Sequence, residues 1–271
     1  MSNEPVYPSV KQGVLLILTA VALLLVAGCG LSVLAPNVVI PSNAVITVAY
    51  ILLFGGAFVY GFKRAKAPIR SILPIKPVGL RLYLPMAGMI VGIALLSWQY
   101  ARLYTFLLEQ IRPNLVLNKD MSNAELWTLA VAALLIAPLL EESLFRGLLL
   151  RGFLTHRSRW KAIWISALLF AVMHMNLLQF LPTAAIGAAF GWWRAETGSI
   201  LPAVIGHFFY NLLALASHLF LDADIRIGAV YTSLISAVGV VLLLLGIWSL
   251  RRLFQNPLNG EPYSAETPPP K

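Results

Sequence analysis

Long apolar runs, separated by short polar, basic or proline-containing breaks, set the pattern of this chain. Eight of them, at about 13–35, 44–62, 80–101, 124–150, 160–177, 178–196, 200–220 and 227–250, each hold roughly 18 or more residues, enough for a helix to cross a hydrocarbon core of roughly 30 Å. Lipid offers no partner for backbone N–H and C=O groups, so runs of this length predict helices that satisfy their own hydrogen bonds. The fold class that follows is all-α, a polytopic bundle of about eight transmembrane helices.

The cations test this count. With both termini cytoplasmic, sixteen of the 20 Lys and Arg residues fall on one side: Lys11, six from Lys63 to Arg81, five from Arg146 to Lys161, Arg194, Arg251, Arg252 and Lys271. Arg102, Arg112, Lys119 and Arg226 remain for the other side. That is the asymmetry of the positive-inside rule. Composition agrees: 59% of the 271 residues are hydrophobic and 11% charged, where a soluble domain carries about 25% charged residues. The net charge of +9 therefore reports topology and contact with anionic lipid at the cytoplasmic face, not nucleic acid.

The connecting segments carry little chemistry. KRAKAPIRSILPIKPVGLR, between the second and third runs, combines six cations with three prolines and should lie on the inner surface without long regular helix. In the outer loop at 102–123, RLYTFLLEQI reads as an interfacial helix, and the Pro-rich tail at 255–271 reads as disordered. A single cysteine excludes an internal disulfide and a cysteine metal cluster. Val26-Ala27-Gly28-Cys29 resembles the cleavage box of bacterial lipoproteins and points to a bacterial inner membrane. The apolar GLSVLAP that follows favours an uncut helix whose small residues let neighbours approach closely.

Ionisable groups at membrane depth are costly and usually mark a site. Here they are Glu141, Glu142 and Arg146 in the fourth run, His174 in the fifth, and His207 with Asn211 in the seventh. Glu142 and Arg146 are four apart, share a helix face and can neutralise each other. Glu141 points about 100° away and is the free acid. Counted from the inner ends of their helices at 1.5 Å per residue, Glu141 and His174 lie roughly 21 and 20 Å deep, and Asn211 roughly 16 Å deep with His207 one turn below it. Three helices thus bring one polar layer together.

A carboxylate beside an imidazole can hold and deprotonate a water for attack on a carbonyl. A second His and an Asn can donate to the oxyanion that forms. Neither Ser143 nor Cys29 has a base at helical spacing, which argues against a serine or cysteine nucleophile. Bland readings stand beside these. A Glu142–Arg146 pair can simply lock helices, and His174 with Glu141 can be a satisfied buried hydrogen bond. His156 reads as headgroup-facing, His218 as a surface partner of Asp222, and Phe190, Trp192 and Trp193 as an interfacial belt. Phe145 and Phe170 should pack beside the site.

EESLFR (Glu141 to Arg146), FAVMH (Phe170 to His174) and HFFYN (His207 to Asn211) resemble the EExxxR, FxxxH and HxxxN/D motifs of the CPBP family, the CAAX proteases and bacteriocin-processing enzymes of the Rce1 and Abi type. The resemblance covers roughly 123–220, which divides the chain into first helices and loops (1–122), a catalytic core (123–220), a last helix (221–254) and a tail (255–271). It implies an intramembrane endopeptidase in which Glu141 and His174 activate water while His207 and Asn211 stabilise the oxyanion, with Glu142 and Arg146 in support. The implied substrate is a membrane-associated or lipidated peptide or protein. Zinc held by Glu141, His174 and His207 is the alternative. The absence of an HExxH helix favours the metal-free form. A proton-coupled transporter should show an inverted repeat or paired broken helices, and neither is visible. A non-catalytic membrane scaffold or regulator also fits the sequence.

Overall fold

The computed structural model describes residues 6–34, 42–111, 123–220 and 228–255. Among these it contains no strand, and its eight longer helices are α1 (Val10–Leu34), α2 (Ser42–Ala65), α3 (Tyr83–Ile111), α4 (123–156), α5 (Arg159–Met173), α6 (Leu177–Thr197), α7 (Leu201–Phe220) and α8 (Ala229–Gln255). Among the described residues five segments are long and apolar enough to cross a membrane: Val48–Ala65, Leu80–Ile111, Leu126–His156, Leu201–Phe220 and Ala229–Gln255. The protein is an all-α membrane bundle. At 15 residues α5 rises roughly 22 Å, short of the roughly 30 Å of a hydrocarbon core.

Small residues hold α3 and α8 together. A methyl on Gly92 would come within 2.7 Å of the Gly239 carbonyl oxygen, and one on Gly246 within 2.8 Å of that of Pro85. Only glycine permits this backbone approach, the usual way helices associate where lipid offers no hydrophobic contrast. RLYTFLLEQI belongs to the same α3, which runs on to Ile111, so it is not a separate interfacial helix. Its residues continue a favourable helical run and nothing breaks it.

Helices α5 and α6 form a hairpin. The chain turns at Met175 (φ 46°), and Asn176 restarts the helix by accepting the Leu178 N–H at 2.9 Å. His174 consequently caps α5, directly after its last residue Met173, at a helix end. Gly198 in the left-handed conformation ends α6 (φ 64°). Just beyond it, Ser199 Oγ donates to the Lys76 carbonyl at 2.7 Å, and Ile200 N–H donates to that of Pro74 at 3.0 Å. These bonds pin the basic connector, whose only α-turn is Ile69–Ile72.

Two expectations are corrected here. His156 is half-buried and its Nε2 lies 2.8 Å from the Val6 carbonyl, so it ties the chain ahead of α1 to the end of α4 instead of facing headgroups. Phe190 and Trp193 are fully buried and Trp192 nearly so; they belong to the core, because α6 is covered by α5 and α7 at this level. Asp222, the proposed partner of His218, and the tail at 256–271 lie outside the described residues, as do 112–122 of the outer loop. Cys29 lies exposed on α1.

Candidate active site

The polar layer is built on an irregular helix. Two stretches of α4, Ala132–Ile136 and Ser143–Leu149, have π geometry and flank the α-helical Ala137–Glu142 that carries both glutamates. Such bulges have identifiable causes, and Pro138 is the first of them here. Its ring clashes with the preceding turn and it has no N–H to donate. The Ala137 N–H bonds five residues back to the Ala132 carbonyl, so the next carbonyl, that of Ala133, would need the N–H that Pro138 lacks. Asn211 on α7 fills that vacancy, donating Nδ2 to the Ala133 carbonyl at 2.7 Å.

The second π stretch seats Arg146, which is fully buried together with Glu142. Its Nη1 donates to Glu142 Oε1 at 3.1 Å, its Nε stands 3.1 Å from Glu142 Oε2 as an ion pair without hydrogen-bond alignment, and Nη2 donates to the Gly187 carbonyl of α6 at 2.9 Å. The guanidinium stands 4.4 Å from the ring centre of Phe170. Phe145 packs edge-on against Phe170 with centroids 5.1 Å apart, so both aromatics lie beside the site as expected.

His207 joins the two acids. Its Nδ1 is 2.8 Å from Glu142 Oε1 and its Nε2 is 3.6 Å from Glu141 Oε2. A carboxylate accepts, so Nδ1 carries a proton and the ring's orientation is set by Glu142. Gly206, just before it, allows α7 to approach α6: a methyl there would come within 2.7 Å of Trp193 and 2.9 Å of Phe190. Glu141 is 3% exposed and receives the Tyr50 hydroxyl of α2 on Oε1, while Oε2 is buried with no hydrogen-bond partner.

His174 approaches from the α5 end. Its Nδ1 lies 3.0 Å from the Phe170 carbonyl and its ring stacks edge-on against Phe170, centroids 5.0 Å apart. The carbonyl only accepts, so Nδ1 carries the proton and Nε2 presents a lone pair. Phe170 also contacts His207, whose ring centre is 5.9 Å from its own. Among the described residues no hydrogen bond or ion pair joins His174 to Glu141, and no three His, Cys, Asp or Glu side chains converge on one point as a metal set.

The structure thus gathers Glu141, Glu142, Arg146 and His207 into direct contact, with His174 and Asn211 at its edges. Tyr50 is the member that motif spacing missed. It stands 14 residues, or roughly 21 Å, from Arg64 at the basic end of α2, the depth already counted for Glu141, so a tyrosine at that level was the available signal.

Residues 123–213, which contain all three motifs, match the family described as Type II CAAX prenyl endopeptidase Rce1-like, and this bears out the resemblance to the CAAX proteases. The match indicates a protease and supports intramembrane endopeptidase activity in general. No curated protein and no solved structure gave a match.

Proposed function

We propose that this protein is an intramembrane endopeptidase that hydrolyses a peptide bond of a membrane-associated or lipidated protein with water activated by Glu141 and His174. The observation that carries this reading is Glu141 Oε2, a buried carboxylate oxygen that has no hydrogen-bond partner among the described residues, with His207 Nε2 standing 3.6 Å away. It is the available acceptor for a water's proton. Tyr50 holds the other oxygen and so fixes the carboxylate plane. His174 contributes through Nε2, the ring nitrogen that its bond to the Phe170 carbonyl leaves free.

His207 and Asn211 are the donors to the oxyanion in this mechanism. Because Nδ1 of His207 is committed to Glu142, donation from Nε2 requires an imidazolium. Asn211 has a second amide hydrogen after the Ala133 bond. Glu142 and Arg146 act through His207, keeping it between the acids.

The mechanism runs through Glu141 and His174 without a metal; the zinc alternative would take Glu141, His174 and His207 as its ligands. The substrate reaches the layer from within the bilayer, sliding laterally between helices, and a bacterial inner membrane is the proposed location. The test uses two fluorogenic peptides of one sequence, one lipidated and one not, with the full chain in one detergent. The lipidated peptide should be cleaved with the higher kcat/KM, and Glu141→Gln should abolish both activities. No cleavage of either, or cleavage that survives Glu141→Gln, overturns the reading.

A further inference from the structure

A cleft of about 730 Å³ runs between α1 and α2, lined by none of the residues that the proteolytic mechanism uses. Its α2 wall is the stripe Ala49, Leu53, Gly56, Ala57, Tyr60 and Arg64, and its α1 wall repeats the same spacing through Leu16, Thr19, Ala20 and Leu23. Residues three and four apart share a helix face, so each helix turns one continuous side to the cleft. The middle of both stripes is small. Gly56 has no atom within 4 Å of where a Cβ would sit, so the helices stand apart there by a side chain's width.

Along the membrane normal the cleft is polarised. From Ala49 to Arg64 it extends roughly 22 Å, longer than the roughly 15 Å of one leaflet's hydrocarbon. Aliphatic and small side chains line most of it. At the basic end alone it acquires Arg64, Tyr60, Tyr7 and Gln12, and among the described residues no acidic side chain lines it. Arg64 is exposed there, beside the equally exposed Lys63. Burial and the nearby Tyr60 push the Tyr7 phenol above its ordinary range, against the pull of Arg64, so at neutral pH its O–H remains a donor. Three donors converge where a lipid headgroup would lie, and one of them is a fixed cation.

We propose that this cleft is a binding site for one anionic phospholipid, its acyl chain lying between α1 and α2 and its phosphate held by Arg64 with the Tyr7 and Tyr60 hydroxyls. A groove open to the bilayer takes up hydrocarbon of some kind; the charge at its mouth selects the headgroup. One Arg near a membrane surface favours an anionic lipid by about fivefold in affinity. The site is independent of the proteolytic reading.

The experiment is lipid titration of the purified full chain in mixed micelles, followed by thermal unfolding, with phosphatidylglycerol and phosphatidylcholine of identical chains. The expected result is a saturable rise in Tm with phosphatidylglycerol at an apparent affinity about fivefold tighter than with phosphatidylcholine. Arg64→Gln should reduce it to the phosphatidylcholine value, and Gly56→Leu should remove saturation for both lipids. Arg64 is exposed, so its variant folds even if the Gly56 variant does not. Equal affinities for the two lipids, an Arg64→Gln variant that keeps the preference, or no saturable change because the chain's own tail fills the cleft would each overturn the proposal. Binding of glycerol phosphate as tightly as phosphatidylglycerol would also overturn it, by removing the acyl chain from the interaction.

Discussion

Asn211 donates its side-chain amide to the carbonyl of Ala133 at 2.7 Å, supplying the hydrogen bond that Pro138 withholds from the π turn of α4. An Asn211→Ala variant leaves that carbonyl unsatisfied and should cost about 1–3 kcal/mol of stability. Adding Pro138→Ala restores an N–H to the turn. The double variant should therefore recover thermal stability in detergent while cleavage stays impaired, since the oxyanion donor is still missing. Recovery of both would reduce Asn211 to a structural role.

Glu141→Gln keeps side-chain volume and the Tyr50 contact but cannot accept a proton. Cleavage should fall by at least about 10²-fold, the usual cost of losing a general base, with Tm nearly unchanged. Undiminished turnover in the purified variant would sink the mechanism.

Tyr50→Phe removes one donor and no packing volume. If the phenol fixes the plane of the Glu141 carboxylate, kcat should drop by about tenfold, equivalent to about 1.4 kcal/mol, a typical worth for a hydrogen bond to a charged group. KM should stay near the wild-type value. A KM effect alone would place Tyr50 in substrate binding instead.

Arg146→Met strands a buried carboxylate at Glu142 and frees the Gly187 carbonyl, so a loss of about 3–5 kcal/mol is expected. Arg146→Lys should rescue little, because an ammonium cannot span both Glu142 oxygens and Gly187 together. Thermal unfolding of the single variants against Glu142→Gln/Arg146→Met measures this. A double variant no more stable than Arg146→Met would mean that the stranded charge is not the cause.

Dialysis against a strong zinc chelator should leave cleavage unchanged if Glu141 and His174 alone activate the water. Loss of activity that added zinc restores would turn Glu141, His174 and His207 into ligands.

Much of the bundle was legible along the chain. Apolar runs are local features, so the helical positions of α1 to α8 follow from composition and spacing without knowledge of neighbours, although only five segments of the described residues are long and apolar enough to cross a bilayer. Charge at membrane depth is equally local: it singled out Glu141, Glu142, Arg146, His174, His207 and Asn211 because burying each is costly. The family match over 123–213 falls on the same residues. Pairing between helices was not legible in this way. Depth counting put Glu141 with His174, whereas the folded chain sets His207 between Glu141 and Glu142 and turns His174 to its own helix at Phe170. Tyr50, 91 positions from Glu141 in sequence, reaches it only because α2 packs against α4 at the same level. Facing depends on how far each helix is rotated about its axis, and the π turns around Pro138 and Arg146 change that rotation by an amount that a 3.6-residue periodicity does not carry. Sequence therefore determined which groups must be sheltered in the membrane, and tertiary packing decided which of them touch.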